Sequence, residues 1–78
     1  MNAQEIIIQL IRNKTNMINM ALRENNKEAF ERFRHEINGM LICLRNVSND
    51  GFYCLNFLED KCEFGYYDKN GVWYTIED

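Results

Sequence analysis

Three strand-like segments follow one another in residues 52–76, FYCLNFLEDKCEFGYYDKNGVWYTI. Residues 52–58, 62–67 and 72–77 are rich in aromatic and β-branched side chains, which favour strands. Two short polar segments, residues 59–61 and 68–71, separate them, and the second contains Asn70 and Gly71, a strong turn signal. Strands joined by tight turns pair antiparallel, so this region predicts a three-stranded antiparallel β-meander.

The second hairpin allows each face of the predicted sheet to be assigned. A four-residue turn over 68–71 would pair Tyr67 with Val72. One face then carries Cys62, Phe64, Tyr66, Trp73 and Thr75. The other carries Gly65, Tyr67, Val72, Tyr74 and Ile76, and the ring of Tyr74 would cover Gly65. Neither face is polar, and helices from the same chain can cover only one of them, so we expect exposed aromatic surface.

The sequence before residue 52 predicts two helices, over about residues 3–24 and 26–47. Asn2 followed by Glu5, and Asn25 followed by Glu28, resemble helix-capping boxes. Apolar residues recur at helical spacing in both segments, and the connection between them is short. We therefore predict an antiparallel helix hairpin whose core includes Ile7, Leu10 and Ile18 in the first helix and Phe33 and Ile37 in the second.

An alternative exists at Gly39, because glycine often follows the last residue of a helix. Residues 40–47 would then form a strand, and residues 48–51 a hairpin turn. We favour one continuous helix because the apolar period from Phe30 to Val47 continues through the glycine. The predicted fold class is thus α+β, an N-terminal antiparallel helix hairpin followed by a three-stranded antiparallel β-meander. With 78 residues, the chain 1–78 is expected to form one domain.

Charge and cysteine content bear on partners and compartment. The net charge of −3 divides into +2 over residues 1–46 and −5 over residues 47–78. An acidic C-terminal half is expected to suit a basic partner. Cys43, Cys54 and Cys62 form no close pair, and His35 is the one histidine, so we expect no metal, no cofactor and three reduced thiols in a cytoplasmic protein. The apolar run 6–11 is too short for a membrane span or a signal peptide, so no membrane partner is expected.

Candidate catalytic groups are weak. His35 and Cys43 are eight residues apart on the predicted helix, about 12 Å along its axis, which is too far for a hydrogen bond. We expect His35 to be solvated and Cys43 to be buried. A calcium loop with Gly71 at its sixth position would begin at Tyr66, which cannot supply the first carboxylate, and would end at Glu77. No glycine-rich phosphate loop occurs, so the sequence predicts no catalytic residue and no enzyme.

Surplus apolar surface is the feature that points to a function. On the first helix, Ile6, Met17 and Met20 lie beside the predicted core positions, where the second helix is not expected to cover them. Together with aromatic residues of the sheet they form the predicted partner interface: Ile6, Met17, Met20, Tyr66, Tyr67, Trp73 and Tyr74. The predicted acidic surface comprises Glu59, Asp60, Glu63 and Asp68. These residue types are frequent at interfaces, and a small chain gains stability by self-association, so we expect a homodimer, and a larger basic protein as a possible second partner.

The sequence favours a non-enzymatic interaction or regulatory protein. Eleven asparagines and eight isoleucines, both with AT-rich codons, suggest an accessory protein of a low-GC bacterium, its phage or its plasmid. The alternative is a winged-helix-like nucleic-acid-binding protein that uses Lys27, Arg32, Arg34 and Arg45. Neighbouring glutamates and an acidic hairpin weigh against nucleic acid as a partner.

Overall fold

The computed structural model describes residues 2–76, in which two helices precede a three-stranded antiparallel sheet. The elements are α1 (Ala3–Arg23), α2 (Lys27–Val47), β1 (Phe52–Phe57), β2 (Cys62–Tyr67) and β3 (Trp73–Thr75). The strand order β1-β2-β3 is that of a meander. The predicted helix hairpin and β-meander are therefore confirmed, although β1 and β3 are shorter than predicted. Glu77, placed in the third strand and in the calcium loop by the sequence, lies outside the described residues.

Asparagine side chains define the start of both helices. The Asn2 side chain accepts a hydrogen bond from the Glu5 amide at 2.9 Å, as the sequence predicted. At α2 the prediction was wrong by one residue, because Asn26 rather than Asn25 accepts from the Ala29 amide. Asn25 instead adopts a left-handed backbone conformation, φ 55°, which ends α1 and which asparagine tolerates better than most residues.

α2 continues without interruption past Gly39, as predicted, so residues 40–47 are helical. Gly39 lies on an exposed part of the helix, and no atom approaches within 4 Å of the position its Cβ would occupy. The helix continues because Leu41 and Leu44, on the far side of the glycine, are buried in the core. It ends where Ser48 becomes extended.

The core lies between the helix hairpin and one face of the sheet. The largest fully buried side chains are Ile11, Ile18, Ile37, Leu44 and Phe64. They confirm Ile18 and Ile37 as core residues. Two other predicted core residues are less buried than predicted. Phe33 is only partly buried, with the Lys14 ammonium and the Arg32 guanidinium over its ring, and Leu10 is 47% exposed.

The pairing of β2 with β3 differs from the prediction by one residue. Tyr67 pairs with Trp73, Tyr66 with Tyr74 and Gly65 with Thr75. The turn is shorter than expected: Asp68 donates its backbone N–H to the Val72 carbonyl, and Gly71 takes φ 79°. Three residues, 69–71, thus form the loop, with glycine in the left-handed position that a three-residue hairpin requires. A shift of one residue moves every β3 side chain to the opposite face.

The faces of the sheet are therefore reassigned. The helix-facing side carries Tyr53, Leu55, Phe57, Cys62, Phe64, Tyr66, Tyr74 and Ile76. The outer sheet face carries Phe52, Cys54, Asn56, Glu63, Gly65, Tyr67, Trp73 and Thr75. The Trp73 ring, rather than that of Tyr74, covers Gly65, whose Cβ would lie 2.7 Å from it.

Candidate interaction surface

The side of α1 that faces away from the sheet is apolar. Four large side chains on it are about half exposed: Ile6 at 46%, Leu10 at 47%, Met17 at 45% and Met20 at 50%. We call these four residues, together with the exposed Asn13 between them, the outer stripe. At 100° per residue the stripe lies opposite Thr15 and Ile8, which turn towards the sheet.

Sequence reasoning found three members of the outer stripe and missed Leu10. Leu10 and Ile11 are adjacent apolar residues, and the sequence pattern placed Leu10 in the core. Ile11 is fully buried, whereas Leu10 lies about 100° away around the helix and is exposed. The signal that identifies Leu10 is spacing, because positions 6, 10, 13, 17 and 20 alternate by four and three residues.

The four aromatic residues of the predicted interface do not form one surface. Tyr66 lies on the helix-facing side, half-buried between Tyr53 and Tyr74, each with its ring centroid 5.2 Å away. Tyr67 and Trp73 pack together on the outer sheet face with ring centroids 4.9 Å apart. Adjacent residues of a strand face opposite sides of the sheet, so the four could not share one face in either register. The one-residue shift changed only the pairing, because it exchanged the positions of Trp73 and Tyr74.

The outer sheet face is apolar at the end where α2 passes into β1. Phe52 is 54% exposed and pairs across the strands with Tyr67. The Arg45 guanidinium lies 4.3 Å from the centroid of the Phe52 ring, and its Nε donates to the Tyr53 carbonyl at 2.8 Å. Arg45 thus contacts both a side chain and the backbone at the start of β1.

The predicted acidic residues lie at two ends of the sheet. Glu59 and Asp60 are exposed in the turn before β2, and Glu63 lies 3.7 Å from Lys61. Asp68 follows β2, so the whole strand, about 20 Å of extended chain, separates it from Glu59 and Asp60. Its carboxylate accepts from the backbone amides of Val72 and Asn70, and these bonds, Val72 first, hold the pKa of Asp68 below its usual range. Asp68 therefore stabilises its own turn.

Three of the four basic residues proposed for nucleic acid are engaged within the fold. Arg34 forms an ion pair with Glu31 at 2.8 Å, and this hydrogen bond is the main cause of the lowered pKa of Glu31. Arg32 lies over the Phe33 ring, and Arg45 binds the backbone of β1. This arrangement offers fewer free cations for phosphate contacts than the sequence suggested.

The structure places the histidine and the cysteines that the sequence singled out as candidate catalytic groups. His35 is exposed, with its Nε2 3.8 Å from Glu31, and Cys43 is exposed rather than buried as expected. Burial, with a contribution from Glu63, raises the pKa of the Cys62 thiol to about 12, so this thiol is unreactive at neutral pH. Among residues 2–76, no cluster of three His, Cys, Asp or Glu side chains is placed to hold a metal ion.

A groove between α1 and β2 has a volume of about 190 Å³, below the roughly 300–1,000 Å³ typical of ligand pockets. A wider depression of about 410 Å³ lies at the turn of the helix hairpin, where Leu22 and Phe30 form apolar walls.

Neither of the two helices in the described part of the chain is long and apolar enough to cross a membrane.

Comparison with protein-family models, with curated proteins and with solved structures finds no match to this chain.

Proposed function

We propose that this chain is a small non-enzymatic interaction or accessory protein that binds another protein through the outer stripe of α1. The observation that carries the proposal is the half-exposure of Ile6, Leu10, Met17 and Met20 on one side of one helix. Methionine is enriched at protein interfaces, and apolar residues at this spacing form the contact face of helix-binding proteins.

The energetics of burial support this proposal. Completing the burial of a half-exposed aliphatic side chain contributes about 1 kcal/mol. Four such side chains therefore provide a useful share of a binding free energy. A domain of this size is only marginally stable, so burial against a partner would also stabilise its fold. None of the four belongs to the buried core or to the partly buried residues packed against it.

Charge adds a second, weaker element to the proposal. Glu59 and Asp60 lie next to the exposed Leu58, a combination that suits a basic protein surface. The three free cysteines fit a reducing compartment such as the cytoplasm. An accessory role in a bacterium, phage or plasmid remains part of the proposal on compositional grounds alone.

The proposal is tested by affinity capture from the native host, with and without nuclease treatment, with wild-type chain, Met17→Asp and Asn38→Asp compared. Asn38 is exposed on α2, so its variant adds the same charge away from the outer stripe. We expect Met17→Asp, correctly folded by circular dichroism, to lose proteins that wild type and Asn38→Asp retain. Equal recovery by all three would contradict the proposal. Loss of all captured proteins on nuclease treatment would favour nucleic-acid binding instead.

A further inference from the structure

The outer stripe has the sequence spacing of a helix–helix seam. Its five positions, Ile6, Leu10, Asn13, Met17 and Met20, alternate by four and three residues, as the inner positions of a two-helix coiled coil do. The seam is about 21 Å long from Ile6 to Met20. It continues in the same direction to Glu24, the residue that caps the end of α1.

We propose that the occupant of the outer stripe is a second copy of this chain, packed with its own α1 antiparallel to the first. The inference rests on the proposed function, because it assumes that the outer stripe is a protein-binding surface. It adds the identity of the partner, the orientation of the helices and the residues that meet. A two-fold axis relates the copies, so each contact occurs twice.

One register aligns the whole stripe. If the axis crosses α1 at the level of residue 15, Leu10 lies level with Met20 of the second copy, and Asn13 lies level with its Met17. Ile6 then lies level with Glu24 at the end of the other helix. Leu10, Met17 and Met20 thus each lie level with a stripe residue of the second copy, whereas Ile6 packs against the stem of Glu24. Asn13 is the single polar member of the stripe, and a polar residue at such a position selects one register at a cost in stability.

Charge complementarity favours the antiparallel orientation. Glu5 and Arg23 are 18 residues apart, five full turns, so they lie on the same flank of α1. Antiparallel packing brings Glu5 of one copy to within about 3 Å, along the axis, of the level of Arg23 in the other. It also places Glu24 beside the positive end of the opposite helix. A parallel pair would instead bring Glu5 level with Glu5, and Arg23 level with Arg23.

The other flank of the stripe is compatible with this contact. Lys14 of one copy approaches Lys14 of the other in the proposed register, but each ammonium already lies 2.6 Å from Glu36 of its own α2. A seam of one helix per copy is smaller than the roughly 800 Å² per partner of a standard interface. We therefore expect a reversible dimer with a dissociation constant on the order of micromolar.

Self-association is measured by sedimentation equilibrium between about 1 and 500 µM. Wild type should convert from monomer to dimer in this range. Asn13→Asp, which adds a carboxylate to the seam of each copy, should weaken the dimer at least about tenfold at pH 7, and protonation near pH 4 should reverse the loss. Asn13→Leu should strengthen it. Asn38→Asp and Asn38→Leu are the matched controls on α2, and neither should change dimerisation.

The orientation is tested by charge exchange and by cross-linking. Glu5→Arg or Arg23→Glu alone should weaken the dimer, and the double variant should recover it. In a Cys43→Ser background, Leu10→Cys alone should form little disulfide dimer, because its own counterpart lies about 15 Å away along the axis. Mixing Leu10→Cys with Met20→Cys should give a cross-linked heterodimer. Ready cross-linking of Leu10→Cys to itself would overturn the antiparallel arrangement.

A chain that stays monomeric over the whole concentration range would overturn the second copy as partner. The proposed function would survive that result if host proteins are still lost on Met17→Asp. A dimer that is insensitive to Asn13→Asp would likewise overturn the proposed interface. The two sets of measurements therefore separate failure of this inference from failure of the proposed function.

Discussion

The carboxamide of Asn19 forms two hydrogen bonds with the backbone of Cys62. Its Nδ2 donates to the Cys62 carbonyl at 3.0 Å, and its Oδ1 accepts from the Cys62 amide at 2.7 Å. The Leu58 amide donates a hydrogen bond to the Lys61 carbonyl across the first hairpin. In an antiparallel ladder the next pair, Phe57 and Cys62, is then the non-hydrogen-bonded kind, and its backbone N–H and C=O groups point away from each other. Asn19 therefore satisfies backbone groups of β2, and it joins α1 to the sheet.

Replacing Asn19 with alanine should lower the free energy of unfolding by about 1–3 kcal/mol, because the Cys62 amide and carbonyl lose their partners in a partly buried site. Urea unfolding measures the change. Asn38→Ala is the control, since it brings the same gain in helix propensity on an exposed part of α2. Equal midpoints for the two variants would show that the Asn19 bonds contribute nothing to stability.

Two isoleucines of α2 differ in burial and should differ in sensitivity. Ile37 is fully buried between the helices and the sheet, so Ile37→Ala should cost about 2–5 kcal/mol. Ile42 is 59% exposed, so Ile42→Ala should change the free energy of unfolding by less than about 0.5 kcal/mol. The comparison uses the same substitution in the same helix. A large effect at Ile42 would mean that α2 turns a different face towards the core.

Two glycines should respond to alanine with opposite signs. A Cβ on Gly65 would meet the Tyr74 carbonyl and the Trp73 ring, so Gly65→Ala should destabilise the chain by about 1–3 kcal/mol. A Cβ on Gly39 meets no atom within 4 Å, and alanine is the better helix former, so Gly39→Ala should stabilise by about 1 kcal/mol. Thermal unfolding of both variants tests the pair. Tolerance of alanine at Gly65 would contradict the observed register of β2 and β3.

The three thiols should react in order of exposure. Cys43 is exposed and should be modified first by a thiol reagent at pH 8, whereas burial raises the pKa of Cys54 and, much further, that of Cys62. A raised pKa keeps a thiol protonated and unreactive, so Cys62 should react only on unfolding. Denatured chain should return three thiols, as the sequence predicts. The Cys62→Ser variant identifies which labelling signal belongs to Cys62. Rapid labelling of Cys62 in the native state would contradict its burial.

Asp68 should contribute to acid sensitivity. Its pKa is lowered in the folded state, chiefly by the hydrogen bond from the Val72 amide, so its contribution is full above the unfolded value and is lost as pH falls through the folded value. Asp68→Asn should therefore flatten the decline of the melting temperature between about pH 5 and pH 2. Asp60→Asn, in the turn of the other hairpin, is the control with the same change of charge. Parallel curves for wild type and Asp68→Asn would refute the role of this carboxylate.

The helices and strands were largely predictable because their signals are local. Asn2 caps α1 through an amide three residues away, and the apolar period of α2 continues across Gly39. Errors of one residue arose where two adjacent residues carried equivalent signals. Asn25 and Asn26 are both plausible caps, and turn residues 68–71 allow a loop of three or four residues. Geometry rather than residue type decides between such neighbours.

The sequence by itself determined the order of the elements, the helix hairpin, the meander and the surplus of apolar side chains on α1. Only the tertiary structure decided which residues share a surface. It placed Leu10 on the outer stripe, turned Tyr66 and Tyr74 towards the helices, and left Tyr67 with Trp73 on the outer sheet face. The reason is physical. Backbone propensity and periodicity act over a few residues, whereas the side of a helix or sheet that loses contact with water depends on how all the elements pack together.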